Sequence, residues 1–421
     1  MFTYSLKISQ PPAVTTTTTL VHRAHNGPLE WWRDGLVYEV ASPELGAVEL
    51  GGVEHLVDHV ASLGFTALLL RPSLMDARND LDPFRELVGR AHGAGIRIVV
   101  RVSGALGPVT GPHAHDDDRI VVGAEREGEG IVERAEAFLS AGADGIDLGT
   151  IIPPEVAERT DLARLTEYFS ILHGLIAGYT DDGMIGADVS ADYPRTLHHH
   201  LQEDWLHHLR DDALILARWD AESMTAHLTR SLDDHDRFGA PPVWRFLPSY
   251  RLCEATDPGD GRNWFAVDDG RRRQRATALQ ALALALPGSV YLRQGDEVGL
   301  PDPDKPTAPL ELAGLVNARA HDQGSLFGSP LATVRHATHV RRERRLAAAP
   351  LAFVTGLDWC PPRTLTLLAR DVLVMVNTTD EPVILPQGAD VLLSSQGLEQ
   401  AEGRLMVPTM TTAWLDAASV S

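Results

Sequence analysis

Basic residues are scarce in this chain of 421 residues, which has 37 Lys and Arg against 58 Asp and Glu and a formal net charge of −21. Nucleic acids and anionic membrane surfaces are both bound by clustered cations that neutralise phosphates. The two arginine-rich runs, 271–275 and 341–345, are short and fit the solvated faces of helices. The composition therefore argues against nucleic acid and membrane as partners.

Cysteine is nearly absent as well, because Cys253 and Cys360 are the only two in the sequence. Two distant cysteines are typical of free thiols in a reducing compartment. No stretch approaches the ~20 apolar residues that span a bilayer, and the first residues lack the basic and apolar segments of a secretory signal. No phosphate-loop or dinucleotide motif is present. We expect a cytoplasmic protein with no cofactor and no metal site.

Short apolar runs alternate with amphipathic stretches through most of the chain. Residues 36–40 and 67–70 have the pattern of buried strands, and the stretch between them has helical spacing of its apolar residues. The same pattern predicts a strand at 145–148, a helix at 196–209 and a strand at 213–217. Such repeated units predict an α/β fold, and a closed (β/α)8 TIM barrel is the leading candidate.

Changes in this pattern predict the domain boundaries. Residues 1–28 are rich in Thr and Pro and predict an irregular N-terminal arm. Residues 29–330 carry the barrel pattern, interrupted by a Gly- and Asp-rich segment at 107–130. Residues 331–421 contain short alternating runs separated by turn residues, which predict a C-terminal antiparallel β-sandwich domain. The interval between 218 and 241 is too short for a full helix–strand–helix, so the sixth barrel strand is expected to be reduced or absent.

Four stretches resemble glycoside hydrolase family 13, in its α-amylase, α-glucosidase and trehalose synthase branch. They are the first-strand opening, the first helix with the second strand, the approach to the third strand, and the eighth-strand motif, at residues 31–40, 50–67, 91–99 and 286–301. The resemblance implies a (β/α)8 barrel with a C-terminal sandwich. It also implies that segment 107–130 is a truncated remnant of the family's inserted domain, which weakens carbohydrate binding.

The resemblance also implies which residues occupy the family's catalytic positions. Retaining enzymes of this kind use one carboxylate as nucleophile and another as acid/base. The nucleophile position on the fourth strand is matched by Gly149, and the motif's arginine by Asp147. The acid/base position after the fifth strand is matched by Arg218, and the last acid of the seventh-strand motif by Tyr250. With Arg101 replacing an acid on the third strand, the chain is expected to be a degenerate homologue without the catalytic carboxylates.

The charges that remain predict a specific arrangement in the former cleft. Arg101, Asp147 and Arg218 should project from neighbouring strand ends, together with Tyr250. An acid between two guanidiniums avoids the cost of an isolated buried charge. We therefore expect Asp147 to pair with Arg101, with Arg218, or with both.

Three functions stay open at this point. The first is an inactive α-glucosidase-like pseudoenzyme with a regulatory or protein-binding role, its partner being an active relative or a second copy, with the link to α-glucan, trehalose or maltose metabolism that the resemblance implies. The second is a hydrolase with relocated carboxylates at Asp147, Asp220 and Glu222. The third is a sugar- or anion-binding module that uses Arg101 and Arg218.

Overall fold

The computed structural model describes most of the chain, and the structural statements below concern only that part. The described residues are 15–25, 27, 30–41, 45–75, 81–102, 125–151, 162–189, 191, 193–210, 214, 217–246, 269–300, 307–401 and 403–420. Most of the segment 107–130 and Tyr250 therefore lie outside the described residues.

The first strand, β1 (Thr17–His22), pairs antiparallel with Leu351–Thr355 near the other end of the chain. The prediction of an irregular arm over residues 1–28 is therefore wrong for this segment. Its run of threonines suits a strand, because β-branched residues fit a pleated surface. Most of the strand is exposed, as expected of a strand at the edge of a sheet.

Eight parallel strands form the central sheet of the molecule. They are β2 (Leu36–Glu39), β3 (Ala67–Leu70), β4 (Arg97–Arg101), β5 (Gly145–Thr150), β6 (Met184–Asp188), β7 (His208–Arg210), β8 (Val243–Phe246) and β9 (Ser289–Arg293). Their hydrogen-bonded order is β7-β6-β5-β4-β3-β2-β9-β8, and β7 packs beside β8. The sheet is thus nearly closed, which confirms the predicted (β/α)8 barrel.

Amphipathic helices cover the barrel. The described helices are α1 (Leu50–Ser62), α2 (Asp82–Gly93), α3 (Glu125–Ser140), α4 (Leu162–Tyr179), α5 (Pro194–Glu203), α6 (Ala221–Phe238), α7 (Asp269–Ala285), α8 (Pro309–Gln323) and α9 (Pro330–Glu343). In α2 the buried residues Phe84, Leu87, Val88 and Ala91 share one face, as helical spacing requires. None of the described helices has the length and apolar character needed to cross a bilayer.

The fifth and sixth barrel strands differ from the sequence prediction. The fifth strand is β6, not 213–217, and it escaped prediction because its five residues include Gly186 and end in an acid. The predicted helix 196–209 stops at Glu203, because Asp204 takes the left-handed conformation with φ of 55°. The residues after it form β7, so the sixth strand is present but only three residues long.

The C-terminal domain contains two antiparallel sheets, as predicted. Its strands are β10 (Leu351–Thr355), β11 (Leu365–Ala369), β12 (Val372–Asn377), β13 (Val383–Ile384), β14 (Val391–Ser394), β15 (Glu399–Ala401), β16 (Arg404–Val407) and β17 (Thr411–Asp416). The sheet orders are β1-β10-β11-β12-β17-β14 and β13-β16-β15. Thr412 and Trp414 donate side-chain hydrogen bonds to carbonyls of α7, at 2.6 and 3.1 Å, and so attach the larger sheet to the barrel.

Candidate functional site at the barrel mouth

Six charged side chains converge where the barrel strands end. Each comes from a different strand, and all but Asp147, which lies midway along β5, occupy one of the last two positions of the strand: Glu39, Arg101, Asp147, Asp188, Arg210 and Arg245. The strand register places Arg101 beside Asp147 and Asp188 beside Arg210. This end of a barrel is where enzymes of this architecture carry their chemistry.

The three acids and three arginines alternate in a closed circle, which we call the ion-pair ring. Arg101 donates to Glu39 at 2.9 Å and to Asp147 at 2.7 Å. Arg210 donates from Nη1 to Asp147 and from Nε to Asp188. Arg245 completes the circle, donating to Asp188 at 2.5 Å and to Glu39 at 3.4 Å. Each carboxylate therefore lies between two guanidiniums, and the ring has no formal net charge.

The ring is withdrawn from solvent, since none of its members is more than 5% exposed. Burial by itself would raise the pKa of Asp147, but Arg210 and Arg101 outweigh it and hold that pKa below its ordinary value. Burial likewise opposes ionisation of Asp188, and Arg210 and Arg245 lower the pKa of its carboxyl. Both carboxylates are ionised at neutral pH.

A chain of side-chain contacts continues from the ring toward the base of the barrel. The Arg210 guanidinium lies 4.8 Å from the centre of the Tyr291 ring. His208 Nε2 contacts the carbonyl of Trp32, which can only accept, so Nδ1 accepts from the Tyr291 hydroxyl at 2.6 Å. Burial lowers the pKa of His208 to about 3, so the imidazole is neutral at pH 7. An apolar layer follows, which includes Val37, Ala67, Leu69, Val99, Met184 and Val243.

Two glycines make room for this arrangement. Gly149 has φ of 66°, in the left-handed region, and its amide donates to Asp147 Oδ1 at 2.9 Å. The pairing of β5 with β6 shifts register between Asp147 and Thr150, so the backbone bends around the carboxylate. A Cβ on Gly186 would lie 2.9 Å from Asp147 Oδ2 and 3.2 Å from Arg210 Nη1. The backbones of β5 and β6 therefore leave the space that the ion-pair ring occupies.

Gly186→Ala is expected to lower the free energy of unfolding by about 1–3 kcal/mol, because the added methyl group overpacks the Asp147–Arg210 pair. Urea denaturation measures the change. The control is Gly174→Ala on α4, where a Cβ meets nothing within 4 Å and the helix is expected to gain about 0.5–1 kcal/mol. Gains of equal size for both variants would show that the space at Gly186 is not needed.

The structure confirms one of the predicted pairings and corrects another. Asp147 pairs with Arg101, as predicted, but its second partner is Arg210 rather than Arg218. The side chain of Arg218 is 60% exposed and lies 3.3 Å from Asp220. Its assignment to the end of the fifth strand is wrong, because that strand is β6 and ends at Asp188.

Of the three proposed relocated carboxylates, Asp147 belongs to the ion-pair ring, whereas Asp220 and Glu222 do not. Asp220 Oδ1 accepts from the amide of Ser223 at 2.7 Å and caps the first turn of α6. Asp220, Glu222 and Arg218 all line a groove beside the C-terminal domain instead. Asp147 therefore lies apart from Asp220 and Glu222, with which the hydrolase hypothesis grouped it. Arg101 likewise lies apart from Arg218, its partner in the hypothesis of a sugar- or anion-binding module.

Sequence reasoning missed four members of the ring: Glu39, Asp188, Arg210 and Arg245. One signal could have found Glu39, because this acid directly follows three apolar residues of a predicted strand. A charge at the end of a buried parallel strand requires an opposite charge nearby. Applied to the end of every strand, this rule would have predicted a ring of opposite charges, but not which acid pairs with which arginine.

Solved structures share this architecture. An α-glucosyl transfer enzyme, XgtA, is 16% identical, with a TM-score of 0.65 over 92% of this chain and 100% of its own. The trehalose-6-phosphate hydrolase of Bacillus licheniformis is 14% identical, with a TM-score of 0.63 over 92% and 99% of the two chains. Amy13B of Eubacterium rectale is 11% identical, with a TM-score of 0.64 over 94% and 97%.

The sequence itself matches no protein-family model and no curated protein. At these identities the structural likeness shows the fold alone, which is that of glycoside hydrolase family 13 enzymes.

Proposed function

We propose that this chain is a catalytically inactive relative of the family 13 enzymes that act on α-glucosides, and that its role is binding rather than hydrolysis. The observation that carries the proposal is the ion-pair ring at the barrel mouth. The ring holds each of its three carboxylates between two arginines. The predicted cytoplasmic location belongs to the same proposal.

A retaining glycosidase needs a carboxylate that can reach the sugar and a second carboxyl that carries a proton. Asp147 is fully buried and bonded on both oxygens, so it cannot approach an anomeric carbon. Asp188 ends the fifth strand, where the family resemblance places the acid/base. Its pKa is lowered by the adjacent arginines, so it has no proton to donate at neutral pH.

Gly149 supports the same conclusion. The resemblance places it at the nucleophile position, where it offers no side chain. Its left-handed φ costs other residues roughly 1–2 kcal/mol, and its amide hydrogen bond holds Asp147 in the ring. Gly149 thus has a structural role at this position and cannot act as a nucleophile.

The binding role is proposed to involve another protein, either an active relative or a second copy of this chain. Large apolar side chains exposed on α8 and the residues after it support this role: Leu310, Leu315, Leu326 and Phe327. The proposal is that these side chains form an apolar patch, which is typical of contact areas between proteins.

The test is a turnover assay of the purified chain on p-nitrophenyl α-glucoside, maltose, trehalose and isomaltulose, with an active α-glucosidase as the positive control. Product release is expected to equal the rate without protein. Turnover that disappears in an Asp147→Asn or Asp188→Asn variant whose circular dichroism spectrum shows it to be folded would show that the barrel mouth is catalytic and defeat the proposal. Turnover that disappears in Asp220→Asn or Glu222→Gln would favour the relocated hydrolase instead.

A further inference from the structure

The strand β1 forms one edge of the larger antiparallel sheet, and β14 forms the opposite edge. Among the described residues β1 pairs with β10 alone, so the amides and carbonyls along its other side have no partner in that part of the chain. An edge strand with unpaired backbone groups is a template for pairing with a strand of another chain. β1 therefore offers a place where one more strand can join this sheet.

The other described sheet edges of this domain are covered or short. α9 packs beside β14, and His336 Nε2 donates to the carbonyl of Leu392 in that strand at 2.7 Å. In the smaller sheet the edge strands β13 and β15 have only two and three residues, and β15 begins with the charged Glu399. Coverage, short length and charge all oppose pairing between chains. β1 is the described edge of this domain that has none of these three protections.

Both ends of β1 are attached to the rest of the molecule. Thr16 Oγ1 donates to the carbonyl of Gly356 at 3.2 Å. A Cβ on Gly356 would collide with the carbonyl of Thr15, so this glycine permits the close approach of the two segments. At the other end of the strand, His22 Nδ1 lies 2.7 Å from Asp236 Oδ1 of α6. The exposed residues between these two contacts are therefore held in place as an ordered edge.

The residues along this edge carry no charge. Residues 15–21 include neither an acid nor a base, and the neighbouring strands β10 and β11 include none either. The whole chain has a formal charge of −21, so two copies repel each other over most of their surfaces. Physiological salt screens this repulsion beyond about 8 Å, and an uncharged edge adds none at closer range. The edge therefore suits a second copy of this chain better than a partner that binds through charge.

The side chains of β1 also suit pairing with an identical strand. Residues 15–20 are all exposed, and Leu20 is 59% exposed. In an antiparallel pair, two residues directly opposite each other either exchange both backbone hydrogen bonds or exchange none. Two identical strands related by a two-fold axis therefore pair with one residue opposite its own copy. Thr18 is the middle residue of the uncharged stretch, and with Thr18 on the axis Thr17 lies opposite Thr19.

We propose that two copies of this chain pair antiparallel through β1, with Thr18 on the two-fold axis, so that their six-stranded sheets join into one sheet. This inference rests on the proposed protein-binding role and names a second copy as the partner. Backbone hydrogen bonds hold the two strands together, and threonines lie opposite threonines, which is a favourable cross-strand combination. A two-fold pair uses each edge once, so association stops at the dimer. One pair of strands is a small interface, so the dissociation constant is expected in the micromolar range.

Sedimentation equilibrium of the full chain measures this pairing. The mass of the wild-type chain is expected to rise with concentration from that of one copy to that of two. Thr18→Lys places two ammonium groups opposite each other on the axis, and Thr18→Glu places two carboxylates there. Each variant alone is expected to dimerise at least about ten-fold more weakly. An equimolar mixture of the two variants is expected to dimerise again, because lysine then lies opposite glutamate.

Controls separate the edge from general effects of charge. Gln400→Lys and Gln400→Glu place the same charges on β15, at an exposed residue of the smaller sheet, and are expected to change dimerisation less than about two-fold. Circular dichroism melts show that the Thr18 variants are folded. Hydrogen exchange of the wild-type chain needs no variant, since the amides of β1 are expected to gain protection as the concentration rises while those of β15 do not.

Three results would overturn the proposal. The first is a wild-type chain that stays monomeric up to about 500 µM, with no gain of protection in β1. The second is a mixture of Thr18→Lys and Thr18→Glu that stays as weakly associated as either variant alone. The third is dimerisation that Thr18→Lys leaves intact and Phe327→Asp abolishes, which would assign it to the apolar side chains near α8. The third result would leave the proposed protein-binding role standing, and the turnover assay tests the proposed lack of catalysis separately.

Discussion

Asp147→Asn is expected to lower the free energy of unfolding by about 3–5 kcal/mol, the cost of breaking a buried ion pair by removing one partner. The substitution leaves Arg101 and Arg210 facing a neutral amide inside the barrel, where both arginines are 1% exposed. The ring would then contain three guanidiniums and only two carboxylates, so it would carry an uncompensated positive charge. Urea denaturation followed by circular dichroism measures the loss.

The matched control for this variant is Asp82→Asn at the surface. Asp82 lies 2.7 Å from Arg85, but its side chain is 89% exposed, so solvent screens the pair. The urea midpoint of this control is expected to stay unchanged. Equal effects of the two substitutions would contradict a charged, buried ring.

Adding Arg101→Met to Asp147→Asn distinguishes charge imbalance from poor packing. The double variant retains Glu39, Asp188, Arg210 and Arg245, which are two acids and two bases in continuous contact. It is therefore expected to be more stable than the sum of the single variants predicts, by about 2–3 kcal/mol. Additive effects would mean that the two residues act independently.

Acidification from pH 7 to pH 5 is expected to remove about 2 kcal/mol of stability for each of three buried histidines. Burial lowers the pKa of His200 and His208 to about 3 and that of His207 to about 4, from an ordinary value of 6.5. At a pH between the native and the ordinary pKa values, these histidines are protonated in the unfolded chain and neutral in the native chain. The stability that depends on these neutral histidines is therefore fully present above pH 6.5 and decreases as the pH falls toward their native pKa values.

The carboxylates of the ring respond at lower pH than the histidines. Their native pKa values lie below the ordinary 3.8, so their contribution is present above that pH and is lost as the pH falls through the native values. Two phases of acid destabilisation are thus expected, the first from histidines and the second from Asp147 and Asp188. Urea midpoints measured from pH 7 to pH 3 separate them.

His200→Leu isolates one histidine of the first phase. His200 is 2% exposed, with its ring 5.9 Å from that of Phe169, so leucine occupies an apolar site. The loss of stability between pH 7 and pH 5 is expected to shrink by about one-third. His339→Leu is the control, since the side chain of His339 is 69% exposed. Unchanged pH dependence of His200→Leu would show that this histidine titrates normally.

The barrel was predictable from the sequence because its strands are continuous apolar runs that alternate with amphipathic helices. β3, for example, is made of Ala67 and three leucines, all buried. The C-terminal sheets were predictable for a similar reason, since short alternating runs separated by turns have few other solutions. β1 was not predictable, because its partner β10 lies near the far end of the chain.

The candidate site was predictable only in part. Arg101 and Asp147 could be paired from the sequence because β4 and β5 are consecutive and adjacent in a parallel barrel. Arg210 could not, because the helical pattern of residues 196–209 continues past the true end of α5 and conceals β7. Closure of the ring by Arg245 and Glu39 depends on strands that are adjacent neither in the chain nor in the sheet.

The most direct test of an inactive barrel mouth is covalent labelling of the chain by a fluorinated α-glucosyl fluoride. Retaining enzymes attack such a reagent and keep the glycosyl group on their nucleophile, because the fluorine slows its hydrolysis. Intact-mass spectrometry then detects the label on this chain, free from interference by traces of another hydrolase. An unchanged mass is the result that the ion-pair ring predicts. A mass increase of one fluoroglucosyl group, mapped by peptide analysis to Asp147 or Asp188, would contradict it.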